Sequence, residues 1–181
     1  PDDLVVRLRE SIPAPVVVSQ EPSAPPANNR IESDPTLIRE FVSEAREHLD
    51  NADVHLLTVE MNSHDSDALN AVFRAFHTIK GVAGFLALDD VKSLAHEAES
   101  LLDKARKGDI ELRGNYIDTV FDVIDMMKRM IVNVERAVAT GGSFEPEAGL
   151  RDLVEQVRAV LSGKIHVTTE ARQASLGMRK R

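Results

Sequence analysis

The chain has 181 residues, 30 acidic against 22 basic side chains and a formal net charge of -8, with no cysteine, no tryptophan and one tyrosine. The absence of cysteine excludes disulfides, thiolate metal sites, iron–sulfur clusters and a Cys nucleophile. The acidic balance argues against broad nucleic-acid binding, which needs cations to neutralise phosphates. No run approaches the ~18 consecutive apolar residues of a membrane span, so no membrane insertion is expected. Pro1-Asp2-Asp3 does not resemble a signal peptide, and an opening Pro in place of Met reads as a piece of a longer protein.

Six of the eight prolines lie at or before residue 26. Proline removes backbone donors and fixes φ, so residues 1–33 read as a Pro-rich linker. Asp34-Pro35 then reads as a helix N-cap followed by Pro at the first helical position. Leu37, Phe41, Ala45, Leu49, Ala52, Leu56 and Val59 recur at helical spacing and predict a first amphipathic helix. The run NSHDSD breaks it.

A second helix should bury Leu69, Val72, Phe73, Phe76, Ile79, Ala83 and Leu86. A third, capped by Asp89, should bury Val91, Leu94, Ala95, Ala98, Leu101, Leu102 and Ala105 and stop at Gly108. A fourth runs from about Gly114 to Thr140 on Ile117, Val120, Phe121, Ile124, Met127, Ile131, Val134 and Val138, and Gly141-Gly142 ends it. A fifth begins near Pro146 and carries Leu150, Leu153, Val154, Val157, Val160 and Leu161 to Gly163. Nothing in 34–163 sustains a period of two. The expected fold is all-α: an antiparallel four-helix bundle with an additional C-terminal helix.

Residues 34–163 hold 14 Lys/Arg and 24 Asp/Glu, a net of -10, whereas 164–181 hold 5 and 1, a net of +4. The tail reads as a basic linker or the truncated start of a next domain.

The second helix accepts Gly81 and Gly84 in its interior, each costing roughly 1 kcal/mol relative to Ala. His77, Gly81 and Gly84 share one stripe at the edge of the apolar face, with Lys80 on nearly the same side. This is a reachable imidazole beside a cation, a combination suited to carrying a phosphoryl group. On the third helix His96 and Glu99 stand at i and i+3, off the buried face, where they can look across at His77. Glu99 is the candidate acceptor for one ring N–H, which would fix the tautomer and leave the other nitrogen nucleophilic. His96 is a candidate for a further hydrogen bond. His48, His55, His64 and His166 read as structural or solvated. Met126, Met127 and Met130 read as core fillers. A di-metal bundle site needs paired Glu-x-x-His motifs with two further inward Glu. Here His-x-x-Glu occurs once, so no metal site is expected.

The runs HTIKG, AGFLAL and LAHEAESLLDKAR, with REFVSEAREHLDNADVHLLTVE before them, resemble the histidine-containing phosphotransfer domain of CheA-type chemotaxis kinases. The resemblance covers roughly Asp34 to Leu161. It implies that His77 is phosphorylated at Nε2, that Lys80 stabilises the phosphoryl group and that Glu99 bonds the other ring nitrogen, with His96 nearby. Gly81 leaves room for a partner, and Gly84 and Arg74 join the partner-binding surface. It implies further that a separate ATP-binding kinase domain supplies the phosphoryl group and a receiver-domain aspartate takes it. ATP and Mg²⁺ would sit on those partner domains, with no cofactor in this chain and a cytoplasmic location. The chain shows no nucleotide-binding motif, so it is expected to be the phosphotransfer module and not the catalytic domain. Val82 departs from the family, which often has a second Gly there, and should narrow access slightly. KIHVTTEA weakly resembles the start of the family's dimerisation region. The alternative is a bundle that binds a signalling partner without phosphorylation.

Overall fold

The computed structural model describes residues 34–142 and 145–163. The expectations for 1–33 and 164–181 lie outside the described residues. Five helices follow in order: α1 Pro35–Met61, α2 Ser66–Phe85, α3 Asp89–Lys107, α4 Asn115–Thr140 and α5 Leu150–Leu161. Among the described residues there is no strand.

Each boundary has a local cause. Asp34 accepts a hydrogen bond from the Thr36 N–H at 2.8 Å, with Pro35 where its missing donor costs nothing. Asp65 caps α2 through the Ala68 N–H at 2.9 Å. Gly108 ends α3 and Gly141 ends α4, both in the left-handed conformation that glycine adopts without strain. Two boundaries differ from the sequence reading. Asp89 is the first helical residue of α3 and not its cap; Leu88 holds the cap position, with no side-chain hydrogen bond. The fifth helix begins at Leu150, not near Pro146, because Gly149 takes φ 82° and the Glu147 carboxylate is drawn onto α4 by Asn133 and Arg129.

α1 packs on α2 and α4, α2 on α3, and α3 on α4, which closes a four-membered antiparallel ring; α5 lies against α3 and α4. The short connections leave each of the first three helices beside its successor. The core is mostly aliphatic, with Ile38, Leu49, Leu56, Ile79, Leu94, Leu101, Ile124, Met127 and Met130 fully buried beside the aromatic Phe76. Burial of such side chains, at roughly 25 cal/mol per Å² of apolar surface, drives the bundle together. The registers read from the sequence hold, except that Phe73, Ala105, Phe121, Val138, Val154 and Leu161 are only partly buried against the core and that α1 needs a correction. Leu37 is 43% exposed and Ile38 takes its place inside, because the stripe enters the first turn one residue later. α4 buries more than one stripe, adding Val123, Met126, Met130 and Ala137, since it faces α1 on one side and α5 on another.

α5 is held to α3 by two direct contacts. Arg158 pairs with the buried Glu97 carboxylate, Nε and Nη2 lying 2.8 and 2.7 Å from Oε1. Lys104 Nζ donates to the Leu161 carbonyl at 2.8 Å. At the other end Asp90 has its carboxyl pushed above the usual range by burial and by Asp89, against the opposing pull of Arg151.

Candidate functional site

His77 lies in the second half of α2 with its side chain 63% exposed. Its Nδ1 is 2.9 Å from Oε1 of Glu99 on α3, whose side chain is only 14% exposed. Lys80, one turn further along α2, places Nζ 2.5 Å from the other oxygen of the same carboxylate. That contact is an ion pair; Oε2 has no hydrogen bond of regular geometry. One carboxylate thus bridges two residues of the facing helix. Burial pushes the Glu99 carboxyl up, but the hydrogen bond from His77 and the contact with Lys80 outweigh it, and the net shift is downward.

These distances define a tautomer. An ionised carboxylate only accepts, so the Nδ1 facing Glu99 carries the proton. In the neutral ring Nε2 then keeps its lone pair, on the side away from Glu99. The carboxylate also steadies the positive charge that the ring acquires when Nε2 forms a bond.

Beyond Lys80 a shallow groove continues between α2 and the start of α3, lined by Lys80, Gly81, Gly84, Asp89, Lys92, Ser93 and His96. A Cβ on Gly81 would meet nothing within 4 Å, so this turn of helix is open to an approaching surface. A Cβ on Gly84 would come to 3.4 Å from the Lys92 side chain. His96 lines this groove, and no hydrogen bond joins it to His77 among the described residues. Arg74 is exposed on α2, away from the groove. Val82 is partly buried against the core, so it does not narrow the groove as the family comparison suggested. Among the described residues, His77, His96 and Glu99 do not form a three-ligand metal cluster.

Helical spacing alone assigns Phe73 to the core. In the structure Phe73 is half-buried, and its ring stacks with His77 at 6.0 Å between centroids and 18° between planes. Arg106 of α3 lies over the Phe73 ring at 4.0 Å, and its Nε donates to Oδ1 of Asn70 at 2.7 Å. Asn70, Phe73 and His77 stand at i, i+3 and i+7, a spacing that could have flagged one shared stripe.

A helical bundle that presents an exposed imidazole, oriented by a carboxylate of the neighbouring helix, has the architecture of a phosphotransfer domain. The Hpt domain family matches residues 36–160. The sensor histidine kinase CheAY of Helicobacter pylori is 35% identical over 141 residues, covering 76% of this chain and 17% of that protein. The CheA phosphotransferase domain from Thermotoga maritima is 36% identical with a TM-score of 0.54, covering 56% of this chain and 97% of that one. The phosphorylated P1 domain of CheA3 in complex with CheY6, from R. sphaeroides, shares the fold at 22% identity and TM-score 0.63, covering 73% of this chain and 100% of that one. The chain belongs to the Hpt domain family, as a phosphotransfer domain of the CheA type. It spans about one sixth of the length of the curated relatives it matches.

Proposed function

We propose that His77 is the phosphoacceptor of this domain, and that Nε2 takes the phosphoryl group from ATP held on a separate CheA-type kinase domain. The observation that carries this reading is the exposed ring whose Nδ1 is bound to Glu99, so that in the neutral ring the lone pair sits on Nε2, on the side away from Glu99. The Nε2 lone pair attacks the γ-phosphorus, a P–N bond forms, the P–O bond to ADP breaks, and ADP leaves with that electron pair. Glu99 stabilises the resulting cationic ring. Lys80, already beside the site, offsets the added negative charge.

Onward transfer reverses the roles. An aspartate of a receiver-domain response regulator attacks the phosphorus, the P–N bond breaks, and neutral His77 returns with its proton on Nδ1. The Mg²⁺ for that step belongs to the receiver and the ATP to the kinase domain, while this chain supplies the oriented nucleophile. The open turn at Gly81 and the groove past Gly84, which His96 lines, offer the receiver its approach, with the exposed Arg74 of α2 a further contact outside that groove. The complex of a phosphorylated P1 domain with CheY6 in a fold relative supports this partner class. An ATP-dependent donor supports work in the cytoplasm; no helix among the described residues is long and apolar enough to cross a membrane.

The test is labelling by the cognate kinase domain and ATP. His77→Gln should keep the helical fold and lose phosphoryl incorporation; undiminished labelling would overturn the assignment. Glu99→Ala should slow labelling without unfolding, and an unchanged rate would remove Glu99 from the site.

A further inference from the structure

Glu99 holds the His77 ring at one atom. A ring 63% exposed and anchored at one nitrogen has a soft tilt, and the tilt decides where the Nε2 lone pair points. A second constraint on the plane is present. The Phe73 ring lies 6.0 Å from the imidazole centroid and within 18° of its plane, inside the range of stacked pairs. Phe73 is itself only half-buried, so its plane also needs a support. The Arg106 guanidinium supplies one at 4.0 Å from the ring centroid, well within cation–π range. Arg106 in turn is fixed by the 2.7 Å hydrogen bond to Asn70, one turn of α2 before Phe73.

We propose that Arg106, held against Phe73 by Asn70, is a positioning residue that keeps the His77 ring in the orientation presenting Nε2 outward. It acts through Phe73 and touches no reacting atom. The seam between α2 and α3 then carries two linked devices. Glu99 sets the tautomer of His77, and the Asn70–Arg106–Phe73 stack sets its plane. Arginine suits the second task because its guanidinium is flat and rigid where a lysine ammonium is a point charge. The inference rests on His77 being the phosphoacceptor.

A small phosphodonor tests this without any docking partner. The full 181-residue chain is incubated with potassium phosphoramidate. Nε2 attacks phosphorus, the new P–N bond to the ring forms, the P–N bond to the leaving ammonia breaks, and ammonia departs. The initial rate of phosphohistidine formation is measured together with the ¹⁵N shifts of the two His77 ring nitrogens. Arg106→Ala and Phe73→Leu should each slow the reaction by about two- to five-fold, the size of a lost exposed cation–π contact, and, because a tilted ring loosens its Nδ1 hydrogen bond to Glu99, move the ring nitrogens toward a mixed tautomer. Arg106→Lys, which keeps the charge and loses the flat surface, should not restore the rate. Wild-type rate in Arg106→Lys would overturn the proposal in favour of simple charge. Unchanged rate and shifts in all three variants would overturn it outright. Should Arg106→Ala lose its helical spectrum, Asn70→Ala decides the matter by the same two readouts. A wild-type chain that takes no phosphoryl group overturns the functional reading itself; a labelled wild type with indifferent variants overturns the positioning role alone.

Discussion

Glu97 and Glu99 stand two residues apart on α3 and serve opposite neighbours. Two residues turn a helix by about 200°, so Glu97 meets Arg158 of α5 while Glu99 meets His77 and Lys80 of α2. α3 is thereby fixed in rotation from both sides. The carboxylate that orients the candidate nucleophile sits on a helix whose other face is tied to the additional C-terminal helix.

Arg158 should therefore matter more to stability than its exposed position suggests. Removing it leaves the Glu97 carboxylate buried without its charged partner. Arg158→Ala is expected to cost on the order of 2 kcal/mol. Arg46 also pairs with a glutamate, Glu135, but both side chains are largely exposed, and Arg46→Ala should cost less than about 1 kcal/mol. Urea unfolding of the two variants checks the ranking, and equal costs would contradict it.

Glu99 gives a pH dependence of known sign. Its folded-state pKa lies below the ordinary 4.5 because the His77 and Lys80 contacts overcome the effect of burial. A depressed carboxyl contributes stability that is present above its unfolded value and lost as pH falls through the folded one. The stability gap between wild type and Glu99→Gln should be full at pH 7 and shrink as pH is lowered below 4.5. Denaturant midpoints across that range test this, and a gap independent of pH would contradict it.

Much of this is legible in the amino-acid sequence alone. The 3.6-residue stripes, the glycines at 108 and 141 and the Asp34-Pro35 start placed the first four helices, because caps and amphipathic spacing are local signals. The start of α5 was not legible, since it depends on Glu147 reaching α4 and on the left-handed turn at Gly149. At the site, the i, i+3 pattern of His77 and Lys80 and the position of Glu99 off the buried face pointed to one another across the seam. The Arg106–Phe73 contact was not legible, because an aromatic at helical spacing reads as core and its partner lies 33 positions further along.

Gly81 should show the trade between stability and access. It sits inside α2 with open space where a Cβ would go. Gly81→Ala is expected to stabilise the bundle by about 0.5–1 kcal/mol through helix propensity. The same methyl group stands on the floor of the approach to His77, so transfer to a receiver should slow. Thermal unfolding and transfer rate measured on one preparation check the pair of effects. A variant no more stable than wild type would contradict the propensity argument, and one that transfers faster would contradict the access argument.

Ala87 joins α2 to α3 with φ 56°, a left-handed conformation that costs a residue with a Cβ roughly 1–2 kcal/mol. Glycine relieves that strain but gains freedom in the unfolded chain, so Ala87→Gly should stabilise by at most about 1 kcal/mol. A clear loss of stability in this variant would show that the turn is not strained.

The central claim is that Glu99, by holding Nδ1, makes Nε2 of His77 the nucleophile. The direct measurement is the position of the phosphoryl group on the ring, read by ¹⁵N and ³¹P spectroscopy of the chain after labelling by kinase domain and ATP. Phosphorus bonded to Nε2 of His77 is the predicted result. Phosphorus on Nδ1, or on any other histidine, would contradict the account.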